Sequence, residues 1–87
     1  MLKCTLVSST ECLEESALEG IFVQSILGEL GILQDHTPLL AKLKDNSVVR
    51  LKGAKTQKYY TVGNNTFFQL AKNEAIILTQ SFSETKN

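Results

Sequence analysis

Short alternations of apolar and polar residues fill the chain from Thr37 onward. Ser47-Val48-Val49-Arg50-Leu51-Lys52 and Thr56-Gln57-Lys58-Tyr59-Tyr60-Thr61-Val62 are rich in β-branched and aromatic side chains, which suit a pleated, half-buried backbone. Gly53-Ala54 between them predicts a hairpin connection. Gly63-Asn64-Asn65 marks the next turn, because Gly and Asn tolerate positive φ. Thr66-Phe67-Phe68-Gln69-Leu70 reads as a further strand. Lys72-Asn73 then turns the chain into Glu74-Ala75-Ile76-Ile77-Leu78-Thr79, a run apolar on both faces, as in a strand inside a sandwich. Turn signals every eight to twelve residues predict an antiparallel sandwich or barrel.

The first third is less uniform. Leu2, Cys4 and Leu6 alternate with Lys3, Thr5 and Val7, which predicts a strand. Glu11 to Gly20 admits two readings. Ser8-x-x-Glu11 fits a capping box and Leu13, Ala17, Leu18 and Ile21 recur at helical spacing, yet the same residues can be threaded as a strand. Ser81 to Asn87 is polar and aperiodic and is expected to fray as a C-terminal tail. The 87 residues suffice for one domain, taken here as residues 1–80 with 81–87 as the tail, and contain no internal repeat.

Composition removes several functions. Nine basic and nine acidic side chains cancel, and no Lys/Arg stripe stands out, which argues against nucleic acid and gives little support for direct adhesion to an anionic lipid surface. No apolar run approaches the roughly 20 residues that cross a bilayer, and the opening Met1-Leu2-Lys3-Cys4-Thr5-Leu6-Val7 lacks the pattern of a signal peptide, so a cytosolic chain is the expectation. Cys4 and Cys12 are too few for a disulfide framework or a metal-ligand set. A hairpin around Ser8 to Thr10 would bring them near each other. In a reducing compartment they are expected as two small buried hydrophobes.

Catalytic chemistry finds little to build on. The single histidine has no Cys partner by spacing, no Gly-rich loop leads into a helix, and Glu14-Glu15 would diverge on a strand. Asn64-Asn65-Thr66 is a glycosylation sequon, a pattern common by chance. Tyr59, Tyr60, Phe67 and Phe68 offer an alternative function: a stand-alone β-barrel binding module whose aromatic platform takes single-stranded nucleic acid or oligosaccharide, with Lys52, Lys55 and Lys58 nearby. Adjacent residues on a strand face opposite ways, so about half of those rings are core in any register.

The densest backbone punctuation lies in Gly28-Glu29-Leu30-Gly31-Ile32-Leu33-Gln34-Asp35-His36-Thr37-Pro38-Leu39-Leu40. Two glycines, the histidine and the only proline are interleaved with aliphatic anchors, which describes a shaped loop held at both ends. The stretch resembles the GELGILPGHAPLL segment of the epsilon subunit of F-type ATP synthases at ten of thirteen positions, departing at Gln34, Asp35 and Thr37. Weaker likenesses are Leu6-Val7-Ser8, Ile21-Phe22-Val23, Val62-Gly63-Asn64 and Asn73-Glu74-Ala75-Ile76-Ile77-Leu78, so the resemblance extends over residues 1–80.

The resemblance implies an all-β fold, a small antiparallel β-sandwich or flattened barrel of about ten short strands, with a strand rather than a helix leading into Leu18 to Val23. It also implies a non-catalytic rotor subunit without cofactor or metal. Such a subunit joins the gamma subunit of the central stalk to the membrane c-ring and couples proton flow to ATP synthesis. It would be peripheral, on the cytoplasmic face of the energy-transducing membrane, and soluble when isolated. Carried over by position, Ser8, His36, Thr37, Pro38 and Leu40 would meet gamma, while Gly28, Glu29 and Leu30 would meet the c-ring. Typical relatives continue into a helical hairpin. Only the polar tail follows here, so no inhibitory role is expected. Asp35 replaces a glycine and is the next most tolerant type at positive φ; Gln34 replaces a proline and loosens the unfolded loop by roughly 0.5–1 kcal/mol; Ser25-Ile26 replaces a Pro-Gly-like pair.

Overall fold

The computed structural model describes residues 1–86, and all regular structure in them is β. The strands are β1 (Leu2–Val7), β2 (Cys12–Ser25), β3 (Gly28–Leu33), β4 (Leu39–Lys42), β5 (Val48–Gly53), β6 (Gln57–Val62), β7 (Phe67–Ala71), β8 (Glu74–Leu78) and β9 (Phe82–Thr85). They form one continuous hydrogen-bonded path, β4-β7-β8-β1-β2-β5-β6-β9, with β3 also on β2.

The path folds into two layers because β2 belongs to both. Its first half pairs β1, from Val7↔Cys12 to Leu2↔Leu18, and its second half pairs β3 and β5. Between the halves Ala17 has φ 56 and the β5 ladder slips between Leu18 and Gly20, a bulge that redirects the strand. Layer I is therefore β4-β7-β8-β1 with the start of β2; layer II is β3, the end of β2, β5, β6 and β9. Period-two alternation points Leu2, Cys4 and Leu6, Ile21 and Val23, Phe68 and Leu70, and Ala75 and Ile77 into one shared core.

Most strands lie where the alternation predicts them. The stretch read as a shaped loop, Gly28 to Leu40, is instead strand β3 and the start of β4, with only residues 34–38 as loop between them. The Gly53 amide closes the β5–β6 hairpin on the Thr56 carbonyl at 2.8 Å, and Lys72 and Asn73, both at positive φ, form the tight β7–β8 turn. Glu11 to Gly20 contains no helix, and Cys12 onward is strand. Ser8 Oγ accepts the amides of Thr10 and Glu11 at 3.3 and 3.1 Å, so the chemistry that caps a helix here shapes the β1–β2 turn instead.

The expected all-β sandwich forms, with four differences of detail. Nine strands are present among the described residues against about ten, and the path is not closed into a barrel. β1 and β8 pair in parallel, from Lys3↔Glu74 to Val7↔Leu78, so the sandwich is not wholly antiparallel. The tail expected from Ser81 contains β9, paired to β6, because Phe82 is buried with its ring edge-on to Tyr60 at 6.4 Å; Asn87 lies outside the described residues. Cys4 faces the core opposite Glu15, whereas Cys12 is exposed opposite Val7, so the hairpin sets the two thiols on opposite faces and three ladder positions apart.

Candidate functional site

Layer I has an outer face that nothing among the described residues covers. Ladder register aligns Lys42, Phe67, Leu78, Val7 and Cys12 in one row across four strand pairs, and Leu40, Gln69, Ile76, Thr5 and Glu14 in the next. Phe67, Ile76 and Leu78 are 45, 40 and 49 % exposed and Leu40 is 71 % exposed. These side chains make one contiguous apolar patch. At its far border Lys3 bridges Glu14 and Glu74, each at 3.3 Å, and the two carboxylates raise the Lys3 ammonium above its ordinary pKa. An apolar centre with a charged rim is the anatomy of a protein interface.

The residues expected to meet a stalk partner border this patch. Leu40 stands in its second row. Ser8 follows Val7 at one end of β1. The loop carrying His36, Thr37 and Pro38 lies at the other end, where the Asp35 amide donates to Asn73 Oδ1 at 2.7 Å and the Asn73 carbonyl accepts the Lys3 amide. The two ends are roughly 13 Å apart along the strand. His36 Nδ1 donates to the Thr37 carbonyl at 2.7 Å, which fixes the tautomer and leaves Nε2 free on an exposed ring. Sequence reasoning missed the centre of this surface, Phe67, Ile76, Leu78 and Val7. The signal was present: Glu74–Leu78 is apolar at both alternating sets, and the outward set is open to solvent rather than enclosed.

A second feature sits at one pole. β2 and β3 are joined by Ile26 and Leu27, with Gly28 at φ 136, a region that favours glycine. Ser25 Oγ accepts the Leu27 amide at 3.1 Å and donates to the Gly28 carbonyl at 2.7 Å, and the Ile26 amide donates to the Lys42 carbonyl at 3.0 Å. The tip is thus fastened on both sides while Leu27 is 95 % exposed. Glu29, beside it, is exposed opposite Gln24. Leu30 turns inward and packs on the core, so of the three residues expected at a ring contact only Gly28 and Glu29 are presented. Leu27 was not singled out from sequence, and Ile26 stood out only as a departure from the resembling loop.

The rival aromatic platform is dispersed. Tyr60 and Phe68 are buried, while Tyr59 and Phe67 lie on different layers. Tyr60 donates to Glu15 Oε2 at 2.8 Å and Lys58 binds the same oxygen at 3.0 Å, so that lysine is committed to a link between layers. Burial first, then Glu15, pushes the Tyr60 hydroxyl up. Arg50 stacks on Phe22 at 4.1 Å from the ring centre.

A family model described as "ATP synthase, Delta/Epsilon chain, beta-sandwich domain" matches residues 1–85. The chain belongs to this delta/epsilon-chain family. Among delta/epsilon relatives, the ATP synthase epsilon chain of Corynebacterium diphtheriae is 32 % identical over 75 residues, covering 86 % of this chain and 61 % of its own length. That of Chromohalobacter salexigens is 34 % identical over 62 residues, covering 70 % and 44 %. A chain of the Euglena gracilis mitochondrial ATP synthase superposes with TM-score 0.83 at 18 % identity, covering 93 % of this chain and 51 % of that one. The delta/epsilon sandwich described here therefore spans 44 to 61 % of the length of these relatives. In the described residues no helix is long and apolar enough to cross a membrane.

Proposed function

We propose that the chain is a non-catalytic rotor subunit of an F-type ATP synthase, gripped from two sides. The outer face of layer I docks on the gamma subunit of the central stalk; the pole carrying Leu27, Gly28 and Glu29 rests on the polar loops of the membrane c-ring. Proton-driven rotation of the ring then passes through a rigid sandwich to the stalk and on to the catalytic head, with the protein peripheral to the energy-transducing membrane. The observation that carries this reading is the apolar patch of Phe67, Ile76, Leu78 and Leu40, bordered by Ser8 and the His36–Pro38 loop. A torque-bearing contact must not slip, and interdigitating buried anchors with a polar rim resist sliding. At the pole, an apolar knob beside a carboxylate suits a loop that offers both an aliphatic notch and a basic or amide donor.

Binding to isolated gamma subunit and to isolated c-ring tests both contacts. Phe67→Ser with Leu78→Ser, a pair of neutral polar side chains at half-exposed positions, lowers affinity for gamma by about 30-fold or more, while Glu29→Ala weakens holding to the ring and leaves gamma binding intact. Undiminished gamma affinity in the double variant contradicts the docking face; undiminished ring holding contradicts the pole.

A further inference from the structure

The loop that would touch gamma is held by a residue 38 positions away in sequence. Leu33 to His36 is a β-turn closed by the His36 amide on the Leu33 carbonyl at 3.2 Å, with Asp35 at φ 67 in its third position. Such a turn is served best by proline at the second position and glycine at the third. This chain has Gln34 and Asp35 there, which supply neither the fixed φ nor the absence of a Cβ. The turn therefore lacks the local chemistry that would hold it.

The missing constraint comes from the β7–β8 turn. The Asp35 amide donates to Asn73 Oδ1 at 2.7 Å, and Asn73 Nδ2 donates back to Asp35 Oδ1 at 3.1 Å. Asn73 is itself pinned: it holds φ 64 in a two-residue turn, and its carbonyl accepts the Lys3 amide at 3.0 Å. A single side chain thus satisfies both a backbone donor and a carboxylate of the loop from a rigid three-strand corner. We propose that the Asp35–Asn73 pair is a clamp, with Asn73 a positioning residue that fixes the His36–Pro38 segment for its partner. Asn73 is not a contact residue; it acts through the loop. The functional half of this statement rests on the gamma-docking reading, and the clamp itself does not.

The pair has a chemical asymmetry that makes it testable. Either position tolerates Asp or Asn, since both types accept positive φ. Asn73→Asp sets two carboxylates against each other and removes the pair's side-chain donor. Exchanging the pair, Asp35→Asn with Asn73→Asp, restores it, because the carboxylate now at position 73 accepts both the backbone amide and the new side-chain amide of position 35. Asn73→Gly keeps the turn conformation while deleting the clamp, so loss of folding does not confuse the result.

Amide exchange of residues 33–38 in the free chain, and affinity for isolated gamma subunit, are the two readouts. Asn73→Gly and Asn73→Asp each speed exchange of the Asp35 amide by about tenfold and weaken gamma binding by about fivefold; the exchanged pair returns both to within about twofold of the parent. Unchanged Asp35 exchange in Asn73→Gly, or no recovery in the exchanged pair, overturns the clamp. Accelerated exchange with recovery but no change in gamma binding leaves the clamp standing and overturns its positioning role.

Discussion

Cys4 and Cys12 show how one ladder position decides the chemistry of a side chain. Both lie on strands of the same hairpin, yet the core-facing Cys4 thiol is pushed from the ordinary 9.0 up to about 12, by burial first and by Glu15 second. Its charged form is thus disfavoured in the folded state. Below pH 9 folded and unfolded chains both keep the proton and stability is untouched. From pH 9 toward 12 the unfolded chain releases it first, so stability falls by about 1.4 kcal/mol per pH unit from this group. Tyr60, also raised, adds a loss of the same sign above its ordinary 10.0. Chemical denaturation across that range is expected to show this decline, and Cys4→Val to remove its onset near pH 9. Alkylation of the native protein is expected at Cys12 alone. The opposite fates of the two thiols were not legible in the sequence, where both read as small buried hydrophobes. Only the register of the hairpin, set by the Ser8 turn, separates them.

Among the elements, β2 was the hardest to read and does the most. Its helical spacing of Leu13, Ala17, Leu18 and Ile21 is a by-product of a strand that bends: the bulge at Ala17–Gly20 breaks the period of two at the point where the chain passes between layers. Beyond the bend the Phe22 ring lies over Gly20, where a Cβ would come within 2.9 Å of it, and Arg50 stacks on the same ring. Gly20→Ala must displace that ring. A loss of about 1–3 kcal/mol in urea unfolding is expected, largely recovered by combining it with Phe22→Leu, whose shorter side chain vacates the space. β9 escaped for another reason. Phe82 is one apolar residue in a polar stretch, too little for a periodic signal, yet Tyr60 gives it a buried seat. Strands β5 to β8 were legible because Gly, Asn and Lys-Asn turns bracket clean alternations.

At the scale of the whole molecule, a neutral sandwich of principal extents 28 × 25 × 21 Å leaves one of its two outer sheet faces apolar and one of its poles tipped with leucine. A domain this small gives up hydrophobic burial by doing so, which is reasonable only if those surfaces are covered in use. The motif between Gly28 and Leu40 disclosed the family and residues that border the apolar face. Its centre needed the register, because Phe67, Leu78 and Val7 come from three separate strands and meet only through their ladders. Hydrogen–deuterium exchange of the chain, free and bound to isolated gamma subunit, examines the claim most directly. Docking through layer I predicts slower exchange in β7, β8, the Ser8 turn and residues 36–40, with β6 and β9 unchanged. Protection confined to β6 and β9, with β7 and β8 exchanging as in the free chain, would contradict it.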